Sequence, residues 1–299
     1  MIIMLILFID FMIRLHKVNN HKVVPRLPKQ TLDTRPILGS ELIPMTYATI
    51  LALARKKSGK TQVIFDIIRH CVAPGTITHA FVATLNLDPT WLAIEEYCKE
   101  NAIGFDAHTS TIDQDGGNIL ARLKATLDEE AKKRKEASAQ QDEENEKPRQ
   151  SKVLMVGGTD EQEDKVNRKV NKVKAKYQAP EVVIIFDDLS DELRSRILVK
   201  FFKDMRHYRA KIIIGTQYIH DLKPEQWKQV DYFFLFKGQS EDKLKDLYKH
   251  ANIQIPFEQF KRIYEVATEQ KYSFLTIDST NQIFRSNFNR EFDLEGTEK

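Results

Sequence analysis

The sequence predicts an α/β fold of three layers, with helices on both faces of a mostly parallel central sheet. Three observations carry that prediction. A loop bearing glycine and lysine, Ala54–Thr61, stands between an apolar run and a helix-like stretch. A continuous β-branched run, Val182–Phe186, ends abruptly in Asp187-Asp188. A third apolar run, Ala210–Gly215, ends in Thr216-Gln217. Uninterrupted runs of this kind suit strands covered on both faces, and helices alternating with them supply the crossovers that parallel pairing needs.

The elements follow in order. Met1–Ile13 is apolar apart from Asp10. It is shorter than the roughly 20 residues of a bilayer span and lacks the leading positive charge of a secretory signal. The expectation is a mis-assigned start or a segment docked on the core, with weak membrane association as the alternative. Thr46–Leu53 reads as the first strand and Gln62–His70 as the helix after the loop. His79–Leu85 reads as a strand, Pro89–Glu100 as a helix with Trp91 in the core, and Ile103–Thr109 as a shorter strand. From Thr126 to Ala179 the composition shifts to Glu, Lys, Gln, Asn and Asp around one apolar island, Val153–Val156. Too little apolar surface is available there to offset ordering entropy, so an insertion, part helical and part disordered, is expected. Beyond it come the strand ending in Asp187, a helix over Asp191–Tyr208, the strand before Gln217, and an aromatic strand, Asp231–Lys237. Helices over Glu241–Ala251 and Phe257–Glu269 precede a strand pair, Tyr272–Asp278 and Gln282–Phe288, turning at Ser279–Asn281. The expected division is therefore 1–40 extension, 41–127 and 180–290 as two parts of one domain, 128–179 insertion and 291–299 tail.

The motifs carry chemistry. In a strand–loop–helix unit, consecutive backbone N–H groups form a nest for phosphate, Gly59 lets the main chain approach it, and the helix turns its positive end toward it. Lys57, Ser58, Gly59, Lys60 and Thr61 are thus the expected nucleotide-binding residues, with Lys60 on the β- and γ-phosphates and the Thr61 hydroxyl on Mg²⁺. Ala54 stands where the first glycine is usual, so the turn either avoids positive φ there or carries about 1–2 kcal/mol of strain. The competing reading is a lysine-rich surface turn. Adjacent residues of a strand point to opposite sides of the pleat. On that ground Asp187 is assigned to the metal and Asp188 to positioning water or acting as general base, while Asp188 or Ser190 as a mere helix cap is the alternative. Gln217 is the expected sensor of the γ-phosphate, against the plainer role of closing a strand.

The stretch Val182 to Leu189, then Leu193 to Leu198, Arg206-His207-Tyr208, and Ile212 to Tyr218 resembles the DNA-packaging ATPases of poxviruses, other large DNA viruses, virophages and Maverick or Polinton elements, within the FtsK and HerA group of P-loop motors. The resemblance covers the phosphate loop and Glu181 to Asn289. It implies a P-loop NTPase fold of the ASCE, RecA-like kind, and ATP and Mg²⁺ as cofactors. Lys60 and Thr61 would lie on nucleotide and metal, Asp187 and Asp188 would be the Walker B acids, and Gln217 the sensor. It further implies a homo-oligomeric ring, hexameric or pentameric, in which an arginine of one subunit completes the next subunit's site. Arg206 is the first choice for that arginine, with Arg209, Arg194 and Arg196 as rivals. The sequence departs from the group's pattern at Ala54, at Asp188 where cellular relatives carry glutamate, and at Met205.

The implied activity is ATP-driven translocation of double-stranded DNA into a capsid, with capsid or portal-vertex proteins as partners, in host cytoplasm, viral factory or virion. A helicase of a mobile element, a P-loop kinase and a nucleotide-binding scaffold without turnover are the alternatives. Composition fits: 46 basic against 43 acidic residues leave a formal charge of +3, so DNA must be met by local basic surface. Lys132–Lys135 and Lys165–Lys176 are candidates, and solvated charge is the competing reading of each. Cys71 and Cys98 have no metal-binding or disulfide spacing.

Overall fold

A computed structural model describes residues 33–145 and 170–294. Met1–Ile13, Val153–Val156 and the first part of Lys165–Lys176 lie outside them. The chain divides at Thr34, and the architecture below belongs to Arg35–Lys299.

Nine strands form one sheet in the order β3-β2-β4-β5-β1-β6-β7-β8-β9. These are β1 Thr49–Leu53, β2 Ile77–Val82, β3 Gly104–His108, β4 Val182–Asp187, β5 Ala210–Thr216, β6 Tyr232–Phe236, β7 Phe274–Asp278, β8 Ile283–Ser286 and β9 Arg290–Glu291. From β3 to β6 every pairing is parallel; from β6 to β9 every pairing is antiparallel. The helices are α1 Lys60–Cys71, α2 Pro89–Glu100, α3 Ile119–Asn145, α4 Arg196–Asp204, α5 Pro224–Trp227, α6 Glu241–His250 and α7 Phe257–Ala267. Short 3₁₀ turns occupy Glu192–Arg194 and Ile219–Asp221.

Every residue of β1, β4, β5 and β6 is buried. Alternate side chains along them divide between two apolar clusters, one per face: Ile184, Phe186, Ile212 and Ile214 on one side, Val183, Ile185, Ile213 and Ile50 on the other. The three-layer α/β fold read from the sequence is the fold observed. Trp91 is 1% exposed and packs in the second cluster, and Cys71 and Cys98 are buried free thiols.

Two readings are corrected. The helix expected over Asp191–Tyr208 is broken: a 3₁₀ turn comes first and α4 starts only at Arg196, capped by Ser195, whose Oγ accepts from Leu198 N at 3.3 Å. Neither Asp188 nor Ser190 caps it. The start of the charged segment is also more closely bound than its composition implies. On α3, Lys124 donates to the Tyr208 hydroxyl at 2.7 Å, that hydroxyl donates to Asp128 at 2.6 Å, and Arg134 reaches Glu181 at 2.5 Å. These polar anchors add to a short apolar stripe, Leu120, Leu123, Leu127 and Ala131, that packs on the core. No helix among the described residues is long and apolar enough to cross a membrane.

Candidate functional site: the phosphate loop and the acidic doublet

Strand order assembles the site. β5 lies between β1, which feeds the loop, and β4, which carries the acids, so the carboxyl end of β5 delivers Gln217 between them. Ala54 N donates to Thr216 O at 3.0 Å and Asp188 N to Gly215 O at 3.0 Å, tying both neighbours to the end of β5.

The loop turns with positive φ at Lys57 (63°) and Gly59 (94°), while Ala54 stays outside that region. Substitution of the first glycine by alanine therefore introduces no left-handed strain. α1 begins without a side-chain cap and without an acidic residue in its first turn. Its unpaired N–H groups and its dipole remain available to an anion.

Lys60 Nζ stands 2.6 Å from Asp187 Oδ1 and 2.6 Å from Asp188 Oδ1, and Gln217 Nε2 donates to Asp188 Oδ1 at 3.3 Å. The two carboxylates thus converge on one ammonium, which corrects the expectation that they diverge. The reason is local: Asp188 has φ 55°, so the chain has left the pleat and its side chain is swung back toward Lys60. Asp187 is 2% exposed. Burial raises its carboxyl to about 6, against the lowering influence of Lys60. One lysine facing two carboxylates leaves a net negative charge in a poorly solvated place.

Whether these residues suit Mg²⁺ follows from that charge and from the donors. Asp187 Oδ1 faces Lys60 without an aligned hydrogen bond, and Ser58 Oγ is buried without a partner. Hard oxygens with unspent lone pairs fit Mg²⁺, which takes one or two protein ligands and completes its shell with phosphate and water. No group of three or more His, Cys, Asp or Glu able to hold a metal occurs among the described residues.

A cavity of about 650 Å³, within the usual range for ligand sites, joins Lys57, Ser58, Gly59, Lys60, Thr61, Asp187, Asp188 and Gln217 with Asp88 and Tyr272. Arg206 is elsewhere. It is largely exposed and lies before β5, at the amino ends of the strands, 3.9 Å from Asp231.

Three contributors escaped the sequence reading. Gly215 pairs with Asp187, and a Cβ there would collide with Asp187 Oδ1 and stand 2.9 Å from Lys60 Cδ. A lone glycine inside an apolar strand was the available signal. Asp221, buried, accepts from Ser190 Oγ at 2.9 Å and from Thr216 Oγ1, joining the segments after Asp188 and before Gln217. No sequence pattern marks it. Tyr272, read as part of a strand, sits instead in a turn at the cavity.

Residues 159–287 match the family model described as Poxvirus A32 protein. That span holds the acidic doublet and Gln217 but not the phosphate loop. The likeness to viral DNA-packaging ATPases seen in the motifs is borne out there. The chain is 26% identical over 125 residues to Uncharacterized protein 015R of Frog virus 3 (isolate Goorha), covering 39% of this chain and 38% of the relative. It is 30% identical over 107 residues to Uncharacterized protein 075L of Invertebrate iridescent virus 6, covering 34% and 41%. The matched stretch thus spans about two fifths of these curated relatives. Among solved structures it resembles B204, the DNA-packaging ATPase from Sulfolobus Turreted Icosahedral Virus, with TM-score 0.47 and 15% identity over 81% of this chain and 97% of that one.

Proposed function

We propose that this chain is a Mg²⁺-dependent ATPase that drives double-stranded viral or transposon DNA into a capsid. The observation that supports it best is the convergence of Lys60, Asp187, Asp188 and Gln217 beside a loop whose helix carries no cap of its own.

In this reading the loop N–H groups and Lys60 bind the phosphates, and Thr61 and Asp187 hold Mg²⁺. A metal held by Thr61 and Asp187 would supply positive charge to offset the charge developing on the transferred group. Asp188 accepts a hydrogen bond from Gln217 and turns a free carboxylate oxygen to the attacking water, positioning it and taking its proton. A shorter acid than glutamate can serve because the left-handed backbone at Asp188 already carries the side chain toward Lys60.

Arg206 is 67% exposed on its side chain, and its ion-pair partner among the described residues is Asp231. Its place at the strands' amino ends suits a role toward a neighbouring copy in a ring rather than toward its own loop. Mixing Arg206→Ala with Lys60→Ala subunits should then restore part of the activity that each lacks alone, and absence of rescue would remove Arg206 from the shared site. Capsid or portal proteins as partners, and action in the host cell during assembly, belong to the same proposal.

The deciding experiment measures ATP hydrolysis with and without duplex DNA, for the wild type and Lys60→Ala. Stimulation by duplex that vanishes in the variant supports the motor. Transfer of phosphate to a small acceptor would mean a kinase, and nucleotide binding without turnover would mean a scaffold.

A further inference from the structure

The cavity is polar in the sense of direction. β5 and β4 lie on one side of β1 and bring Gln217, Asp187 and Asp188; β6 and β7 lie on the other. Phe236 pairs with Phe274, so the start of β7 reaches the carboxyl edge where the loop is. Tyr272 stands just before it. A Cβ placed on Gly59 would be 3.4 Å from Tyr272 Cδ1, and the tyrosine lines the same cavity as the loop.

Neither local conformation nor burial explains this residue. Tyr272 has φ 68° and is the third residue of the turn Gln270–Ser273, closed by Ser273 N donating to Gln270 O at 3.3 Å. Turns with positive φ at that position take glycine, and a bulky side chain there is a marked outlier. The residue is 56% exposed, so it does little for the core. Lys271 Nζ lies 4.6 Å from the ring centroid and covers part of the π surface. Strain retained at an exposed aromatic beside a phosphate loop points to a ligand.

We propose that Tyr272 is the platform on which the base of the bound nucleotide stacks. The inference rests on the nucleotide-binding reading above and adds the opposite end of the ligand to it: phosphates run from Gly59 toward the acidic doublet, and the base leaves toward β7. Stacking needs an aromatic plane and not the phenol hydroxyl, and it is tolerant of which base is presented.

The test is calorimetric titration of the full chain with ATP and with inorganic tripolyphosphate, both with Mg²⁺, for the wild type, Tyr272→Phe, Tyr272→Ala and Tyr272→Gly. The Ala and Gly variants should bind ATP about ten-fold or more weakly, in line with the loss of one base stack. Tripolyphosphate affinity should be unchanged, and Phe should bind ATP as the wild type does. Because glycine suits the turn, Tyr272→Gly should melt no lower than the parent, which separates loss of the ring from damage to the fold. Wild-type ATP affinity in the Ala and Gly variants would overturn the inference, as would a parallel fall for tripolyphosphate, since Tyr272 would then act through the loop. A wild type that binds neither ligand would overturn the nucleotide reading itself.

Discussion

The two ends of the parallel strands handle charge in opposite ways. At the amino ends, Arg134 and Arg209 share Glu181, at 2.5 and 2.6 Å, in a cluster partly open to water. At the carboxyl ends, Asp187 and Asp188 share Lys60 at the wall of the cavity, where Lys60 and Asp187 are almost shut off from water and Asp188 is partly open to it. A left-handed non-glycine residue stands at each end, Arg209 with φ 53° and Asp188 with φ 55°, so backbone strain alone does not separate them. Solvation does. Water dissipates the surplus positive charge beside Glu181, whereas the surplus negative charge beside Lys60 must be met by a proton, a cation or a change of partner. An imbalance of charge marks a working site only where water cannot cancel it.

The sharpest test of this contrast is Asp188→Asn. The amide can still accept from Gln217 but is no base, so turnover should fall by about 10²–10⁴-fold while ATP affinity is retained or raised, because a neutral amide competes less for Lys60. Single-turnover rates beside equilibrium titration read both quantities. Hydrolysis at the normal rate would return Asp188 to a structural role. Next comes Gly215→Ala, whose methyl would meet Asp187 and Lys60 directly. A loss of about 1–3 kcal/mol in thermal or denaturant unfolding is expected, together with weaker nucleotide binding because the acid is displaced. An unperturbed variant would mean that β5 can shift away from β4. The smallest effect belongs to the other end: Glu181→Ala should cost about 1 kcal/mol of stability and leave hydrolysis per folded molecule unchanged. If turnover fell as well, the two ends would be coupled.

Much of this arrangement was legible beforehand, for identifiable reasons. β1, β4 and β5 announce themselves as apolar runs because parallel strands are buried on both faces, and the polar residues at or just past their ends, Arg55, Asp187 and Thr216, stand out by contrast. Spacing placed Lys60 in the loop ahead of a helix expected from Gln62, and α1 takes Lys60 in as its first residue. Direction was not legible. Whether Asp188 continues the pleat is set by one dihedral that no hydrophobic period encodes, and extending the pleat by one residue put its carboxylate on the wrong side. Ser195 outcompeted Ser190 as the helix cap because Ser190 is engaged by Asp221, a residue 31 positions away. Tyr272 was absorbed into a strand because aromatics favour strands, and only the turn from Gln270 to Ser273 reveals otherwise.

The clasp of Lys60 by two carboxylates has a further consequence. If Lys60 binds the triphosphate as proposed, it offers no bare ammonium to stray anions, since Asp187 and Asp188 already engage it. On that proposal loading would be a swap: the incoming anion would displace Asp187 and Asp188 from Lys60 and free the pair for the roles proposed for it. After cleavage the same acids would reclaim the lysine, and on the proposed reading this would favour release of product without a separate ejecting element.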